Sequence, residues 1–153
     1  ISANAGVLLT RVLYTKKSGE RNVVVVDTGM PHLMRPALYD SEHFIWPVKV
    51  QAAHAPTSRD PRQRREGFDI YDVHGPICES TDRLGEARAL PPVQRGDLLA
   101  IFTTGAYGMV MASQYNAVPR PPEVLIRGSE SLLIRRRETY EDLVLAELET
   151  RAI

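Results

Sequence analysis

Asn22-Val23-Val24-Val25-Val26-Asp27 followed by Thr28-Gly29 is the stretch that decides the fold. Four consecutive valines are poor helix material and good strand material, and an unbroken apolar run fits a strand covered on both faces. Asp27-Thr28-Gly29 then ends it. Upstream, Val7–Tyr14 has the same β-branched and apolar character, and Thr15–Arg21, with Lys16-Lys17-Ser18-Gly19, is expected to be the hairpin link between the two. Downstream, His32–Tyr39 predicts a short helical turn, with Pro36 tolerated only near its start. His43–Gln51 is a further element whose Pro47 marks an edge or a bulge. Phe68–Val73 alternates, and Asp97–Phe102, Glu123–Arg127 and Leu132–Arg135 are short strands separated by glycine turns. Ala55–Gly67 carries four arginines and two prolines with almost nothing apolar, so an exposed loop is expected. Tyr140, Leu143, Val144 and Leu148 fall on one helical face, and Thr139 with Asp142 resembles a capping box. The expected fold is therefore mainly β, a barrel or sandwich with a C-terminal helix.

The 153 residues suit one domain spanning 1–153. Lys plus Arg is 19 and Asp plus Glu is 19, so the net charge is zero. That argues against generic nucleic-acid or anionic-membrane binding, which needs a cationic excess. No apolar run approaches the roughly 18 residues of a transmembrane helix. A single cysteine, Cys78, excludes an intrachain disulfide and fits a reducing cytoplasm. His32, His43, His54 and His74 are scattered without metal-ligand spacing, so no metal site is expected. The sequence opens on Ile1 in mid-pattern, and we expect it to be a piece of a longer polypeptide.

Several residues have chemistry beyond packing. Cys78 lies in Gly75-Pro76-Ile77-Cys78-Glu79-Ser80, directly after an expected strand, where a Gly-Pro turn presents a side chain rigidly. A thiol there is a proton donor or a nucleophile, or simply a small buried hydrophobe. His74 lies four residues earlier, but strand-and-turn spacing assures no Cys–His contact. Arg35 and Tyr39, four apart, share a face if their segment is helical, and a guanidinium fork beside a phenol suits a carboxylate. In Gly105-Ala106-Tyr107-Gly108 the glycines permit either close backbone approach to a ligand or a tight turn. Arg135-Arg136-Arg137 is balanced by Glu138, Glu141 and Asp142, as on a solvated surface.

Ile1–Gly6, Val25–Gly29, Arg35–Tyr39, Gly75–Ser80, Gly105–Gly108 and Arg135–Thr139, taken in order, resemble the C-terminal domain of the diaminopimelate decarboxylases. That family consists of fold-type III pyridoxal-phosphate enzymes, similar to alanine racemase and ornithine decarboxylase. The resemblance implies an N-terminal (β/α)8 barrel preceding this β-domain, and a homodimer sharing its active sites. It implies removal of carbon dioxide from meso-2,6-diaminopimelate to give L-lysine. It also implies roles. Cys78 would be the acid that reprotonates the substrate carbon, and Glu79 would hold the far ammonium. Arg35 would grip the far carboxylate with support from Tyr39, and Tyr107 would lie against coenzyme and substrate. The alternatives are decarboxylation of ornithine or arginine, and a β-domain that serves only as a binding or assembly module.

Three departures accompany the resemblance. The chain has only Lys16, Lys17 and Lys49, none in the family's coenzyme-lysine motif, so that lysine is expected in the barrel. The family's β-domain is completed by residues from the start of the full chain, so an exposed edge is expected here. Ala55–Gly67 is longer than the family's corresponding loop.

Overall fold

A computed structural model describes residues 1–148. Its centre is β2 (Arg21–Val26), in which Val24 and Val26 are fully buried and Val23 and Val25 nearly so. This is the two-sided burial expected of the valine run. β2 pairs antiparallel with β1 (Val7–Ser18) and parallel with β4 (Asp69–His74). β6 (Leu98–Phe102) lies beyond β1, and β3 (Ile45–Pro47) beyond β6. β5 (Arg83–Leu90) lies beyond β4. The order is β3-β6-β1-β2-β4-β5, and the terminal strands β3 and β5 touch, so the sheet curls into a nearly closed barrel. Pro47 does sit on a terminal strand, where its missing N–H breaks no ladder.

The barrel interior is filled by Val12, Leu33, Ile45, Val73, Leu84, Leu90, Leu99 and Ile101 among others. An aromatic wedge packs against this core. Phe44 stacks on Trp46 at 5.3 Å, and Phe102 and Phe68 lean against the pair. The long loop 55–67 folds back beside this wedge. Arg65 donates to the carbonyls of Ala53 and Ala55, and Arg62 pairs with Glu42.

The structure corrects the expected elements in three places. β1 runs on to Ser18, because Lys16 and Lys17 pair opposite Val23 and Asn22 and carry the ribbon past Tyr14. β5 was not foreseen. Arg-Leu-Gly-Glu-Ala-Arg-Ala-Leu is weak in strand formers, and β4 holds it in place. Ala87 takes φ +52° where the ladder shifts, and its N–H donates to the buried Asp72 carboxylate. Finally, the C-terminal helix is two single turns, α2 (Tyr140–Leu143) and α3 (Leu145–Leu148), interrupted at Val144. Tyr140 and Val144 are exposed and Leu143 is only half-buried, so these three members of the apolar stripe are not core residues. The side chain of Leu148, the last member of that stripe, lies outside the described residues. The capping box is present, with the Thr139 N–H donating to Asp142 at 2.7 Å.

A separate hairpin, β7 (Glu123–Arg127) with β8 (Glu130–Arg135), stands off the barrel. Val124, Leu125, Ile126, Leu132, Leu133 and Ile134 are all exposed on it.

One side chain ties together the strand ends that carry the candidate residues. Asp82 is buried, and its carboxylate accepts from the Met30 N–H at 2.6 Å and the Ile77 N–H at 3.0 Å. Met30 follows β2 and Ile77 follows β4, so one carboxylate pins both turns. Its seat exists because Gly29 and Gly75 have no side chains. A Cβ on either would lie 2.3 or 2.2 Å from a carboxylate oxygen. Beside it, His32 is buried, accepts at Nδ1 from the Gly29 N–H at 3.4 Å, and donates from Nε2 to the Pro119 carbonyl at 3.2 Å. That is a neutral imidazole, and burial holds it below its ordinary range. His43 is buried and lowered for the same reason.

Asp82→Ala strands two buried N–H groups and is expected to cost about 2–3 kcal/mol of stability. Gly75→Ala overfills the seat and is expected to cost about 1–3 kcal/mol. Urea unfolding followed by Trp46 fluorescence measures both, and losses under about 0.5 kcal/mol would show that the pin is not needed. The histidines set a pH trend. Unfolded imidazoles take up protons near their ordinary value of 6.5, while folded His32 and His43 resist. Their contribution is present in full above that value and is lost as pH falls below it. The melting temperature is expected to drop between about pH 7.5 and 5.5, and His32→Gln to flatten that slope. A melting temperature constant over the range would contradict the neutral assignment.

Candidate functional site

The candidate residues occupy the loops at the barrel end where β2, β4 and β6 terminate. Cys78 and Glu79 lie in the turn after β4. The N–H of Gly75 donates to the Asp82 carbonyl at 2.9 Å and that of Asp82 to the Glu79 carbonyl at 3.1 Å, so the turn is closed on itself. Cys78 is exposed, which removes the buried-hydrophobe reading. Among the described residues its thiol shares no hydrogen bond with His74. Burial lowers the His74 pKa, and the two do not form a pair.

Glu79 is half-buried. Its Oε2 accepts from the phenol of Tyr115 at 3.2 Å. Its Oε1 accepts weakly from the Ser80 hydroxyl and the Thr81 N–H. The Thr81 contact and then the Tyr115 phenol hold the Glu79 carboxyl below its usual range, so it stays ionised at neutral pH.

Arg35 opens the short helix α1 (Arg35–Tyr39), with Pro36 in its first turn as expected. Its guanidinium lies over the ring of Tyr107, 5.8 Å from the centroid, a cation–π contact. Tyr107 is exposed and has φ +58°, a left-handed conformation uncommon for a bulky residue. The glycines around it serve the chain itself. A Cβ on Gly105 would meet the Ser2 carbonyl oxygen at 2.1 Å, because the turn Ser2–Ala5 packs directly on it. The close approach is thus to another stretch of backbone. Tyr39 is exposed, and among the described residues its hydroxyl makes no hydrogen bond.

Of the five candidate residues, Arg35 and Tyr107 touch each other, Glu79 is instead held by a sixth residue, Tyr115, Cys78 lies beside Glu79, and Tyr39 stands apart. Tyr115 was missed by the sequence reading. It lies 36 residues from Glu79, and its signal, a tyrosine among Ser113, Gln114 and Asn116, reads as an ordinary loop. Two cavities of about 370 and 400 Å³ lie around Glu138, and none of the five lines either. The candidate site is an open surface. The long loop 55–67 is anchored at Ala53, Ala55 and Glu42, and among the described residues it makes no hydrogen bond to the candidate residues.

Electrostatics distinguish two of the residues. Arg62, Arg88, Arg120, Arg135 and Arg136 all have carboxylate partners, but among the described residues Arg35 and Glu79 are in no ion pair. A guanidinium and a carboxylate, each held by a phenol ring and neither neutralised, can bind the two opposite charges of one ligand. The exposed thiol next to the carboxylate can hold a proton there. Lys16, Lys17 and Lys49 are all exposed, on β1 and after β3, away from these loops.

Residues 2–105 match the family model for the pyridoxal-dependent decarboxylase C-terminal sheet domain. The chain is 46% identical over 144 residues to the diaminopimelate decarboxylase of Archaeoglobus fulgidus, covering 94% of this chain and 31% of that protein. It is also 46% identical to the diaminopimelate decarboxylase of Pseudomonas aeruginosa, covering 96% and 32%. A crystal structure of diaminopimelate decarboxylase from Helicobacter pylori complexed with L-lysine superposes with a TM-score of 0.82 at 37% identity, covering 97% of this chain and 33% of that one. A crystal structure of an Aquifex aeolicus protein superposes with a TM-score of 0.86 at 38% identity, covering 97% and 34%. The chain spans about a third of the length of these relatives. By its sheet, its strand-end loops and this match, it belongs to the family of pyridoxal-dependent decarboxylases, as their C-terminal sheet domain.

Proposed function

We propose that this chain supplies one wall of the active site of a pyridoxal-phosphate-dependent diaminopimelate decarboxylase, which converts meso-2,6-diaminopimelate to L-lysine and carbon dioxide. The observation that carries this is the pair of unneutralised charges, Arg35 and Glu79, on the same loop-bearing surface as an exposed thiol. The open form of that surface supports completion by further polypeptide, a barrel domain and a second subunit of a cytoplasmic homodimer.

The residues present suit the coenzyme as a second wall and not as its anchor. They offer an acid, two opposite charges and phenols, while the three lysines are exposed elsewhere. Pyridoxal phosphate supplies, when bound, a sink for the bond electrons left by departing carbon dioxide. Tyr107 is the residue of this chain that would lie against it.

Cys78 Sγ holds the proton that the substrate carbon must gain. A thiol suits that task, since it is a weak acid able to hold a proton and hand it to a carbon. The far end of the substrate carries a carboxylate and an ammonium. The Arg35 fork matches the first bidentately and the Glu79 carboxylate pairs with the second. A substrate lacking either group leaves a desolvated charge unpaired, which is the basis for rejecting simpler amino acids. Tyr39, on the same helix as Arg35, adds a phenol at the carboxylate end.

Two variants of the full-length enzyme test this. Cys78→Ala is expected to slow turnover and leave coenzyme binding intact, read by coenzyme absorbance alongside steady-state rates. Unchanged turnover would remove the thiol from the reaction. Arg35→Lys loses the bidentate fork, and a charged hydrogen bond of about 1.5–3 kcal/mol corresponds to a fall in kcat/KM of roughly 10- to 150-fold. A change below about twofold in kcat/KM would mean that Arg35 does not touch substrate.

A further inference from the structure

Tyr115 has no role in the readings above, yet among the described residues it is the one side chain from a distant segment that reaches Glu79. Its hydroxyl donates to Oε2 at 3.2 Å, across 36 residues of sequence. The loop that carries it is anchored at the two residues just before it. The Ser113 N–H donates to the Pro31 carbonyl at 2.8 Å, next to the Met30 turn pinned by Asp82. The Gln114 side chain donates to Glu138 Oε2 at 3.2 Å, and Glu138 is gripped by the Arg120 guanidinium and the Arg120 N–H. Asn116 and Ala117 both take left-handed φ, 60° and 56°, a conformation costly enough for non-glycine residues to need support from surrounding contacts. The phenol is thus delivered by a braced loop.

A carboxylate in a surface turn otherwise rotates among rotamers, and ordering it costs part of whatever it gains on binding. Among the described residues the other partners of the Glu79 carboxylate, the Ser80 hydroxyl and the Thr81 N–H, lie at 3.4 and 3.5 Å in its own turn and touch only Oε1. Oε2 is fixed by Tyr115 alone among the described residues.

We propose that Tyr115 is a positioning residue for substrate selection: held by the Gln114–Glu138–Arg120 clamp, its phenol orients the Glu79 carboxylate toward the ammonium at the substrate's far end. This rests on the reading of Glu79 as the group that binds that ammonium. Because the contact is made to bound substrate and transition state alike, its loss acts on KM more than on kcat.

The test uses the full-length holoenzyme, meso-2,6-diaminopimelate, and the variants Tyr115→Phe, Glu79→Gln and their combination. Tyr115→Phe removes one oxygen at a half-exposed position and retains the ring. It is expected to raise KM about tenfold with kcat within about twofold. It should also move the acid limb of kcat/KM to higher pH, since the phenol helps hold the Glu79 carboxyl low. In the Glu79→Gln background it should change nothing further. A wild-type KM and acid limb in Tyr115→Phe beside an impaired Glu79→Gln enzyme would overturn the positioning role and leave the reading of Glu79 standing. Additive losses in the double variant would overturn it too, since the phenol would then act independently of Glu79. A wild-type KM in Glu79→Gln would overturn both.

Discussion

The buried carboxylate of Asp82 is the constraint on which the site depends. β2 and β4 are parallel neighbours, so their C-terminal ends emerge on the same side of the sheet. Nothing in strand pairing dictates how the two following turns lie against each other. Asp82 does, by accepting one N–H from each turn in a seat vacated by two glycine side chains. A buried carboxylate without a cationic partner is costly unless its lone pairs are filled, and here main-chain donors fill them. The arrangement is therefore conditional. Either both turns are in place and the charge is satisfied, or neither is.

From that pin the rest follows in sequence. The Ile77 side leads within two residues to Cys78 and Glu79. The Met30 side leads through His32, whose neutral ring ties Gly29 to Pro119, into α1 and Arg35. The Pro31 carbonyl then receives the 113–117 loop and with it Tyr115. The thiol and carboxylate of Cys78-Glu79, the Arg35 guanidinium and the Tyr115 phenol come from three separate stretches of sequence, but their supports converge on residues 29–32. A rigid barrel with mobile loops would not give this. The loops are fixed to one another by buried side chains, Asp82 and His32, gripping main-chain groups, and by the main-chain bond from Ser113 to Pro31.

The sheet was legible where side chains dominate local preference. The valine run, Pro47 at the edge and the 123–135 strands all read correctly because β-branching and the missing proline N–H act at the position itself. β5 was not legible, since Arg83, Gly85, Glu86 and Ala87 have no strand preference, and what holds them is the neighbouring β4, a non-local term. The terminal apolar stripe misled for the opposite reason. Its helical period is real, but periodicity marks a face to be covered without saying by what, and the described residues do not cover Tyr140 or Val144. The same holds for the hairpin β7–β8, apolar on both faces. At the site, single residues in recognisable order were legible. Pairings across long separations were not, which is why Glu79 could be singled out and its partner Tyr115 could not.

The two long-range contacts share one design. Each joins an ionised group to a phenol and not to an opposite charge: Arg35 to the Tyr107 ring, Glu79 to the Tyr115 hydroxyl. An ion pair would orient a side chain equally well, but it would have to be broken before a ligand's charge could be bound. A tyrosine orients without neutralising. Its ring face stabilises a cation at modest cost, and its O–H stabilises a carboxylate while leaving the remaining lone pairs free. Elsewhere on this chain, Arg120, Arg135 and Arg136 are matched directly with carboxylates, and Arg120 draws the Glu138 carboxyl down to about 2. A charge held by a phenol stays available to a ligand of opposite charge, whereas Arg120, Arg135 and Arg136 are already neutralised by their carboxylates.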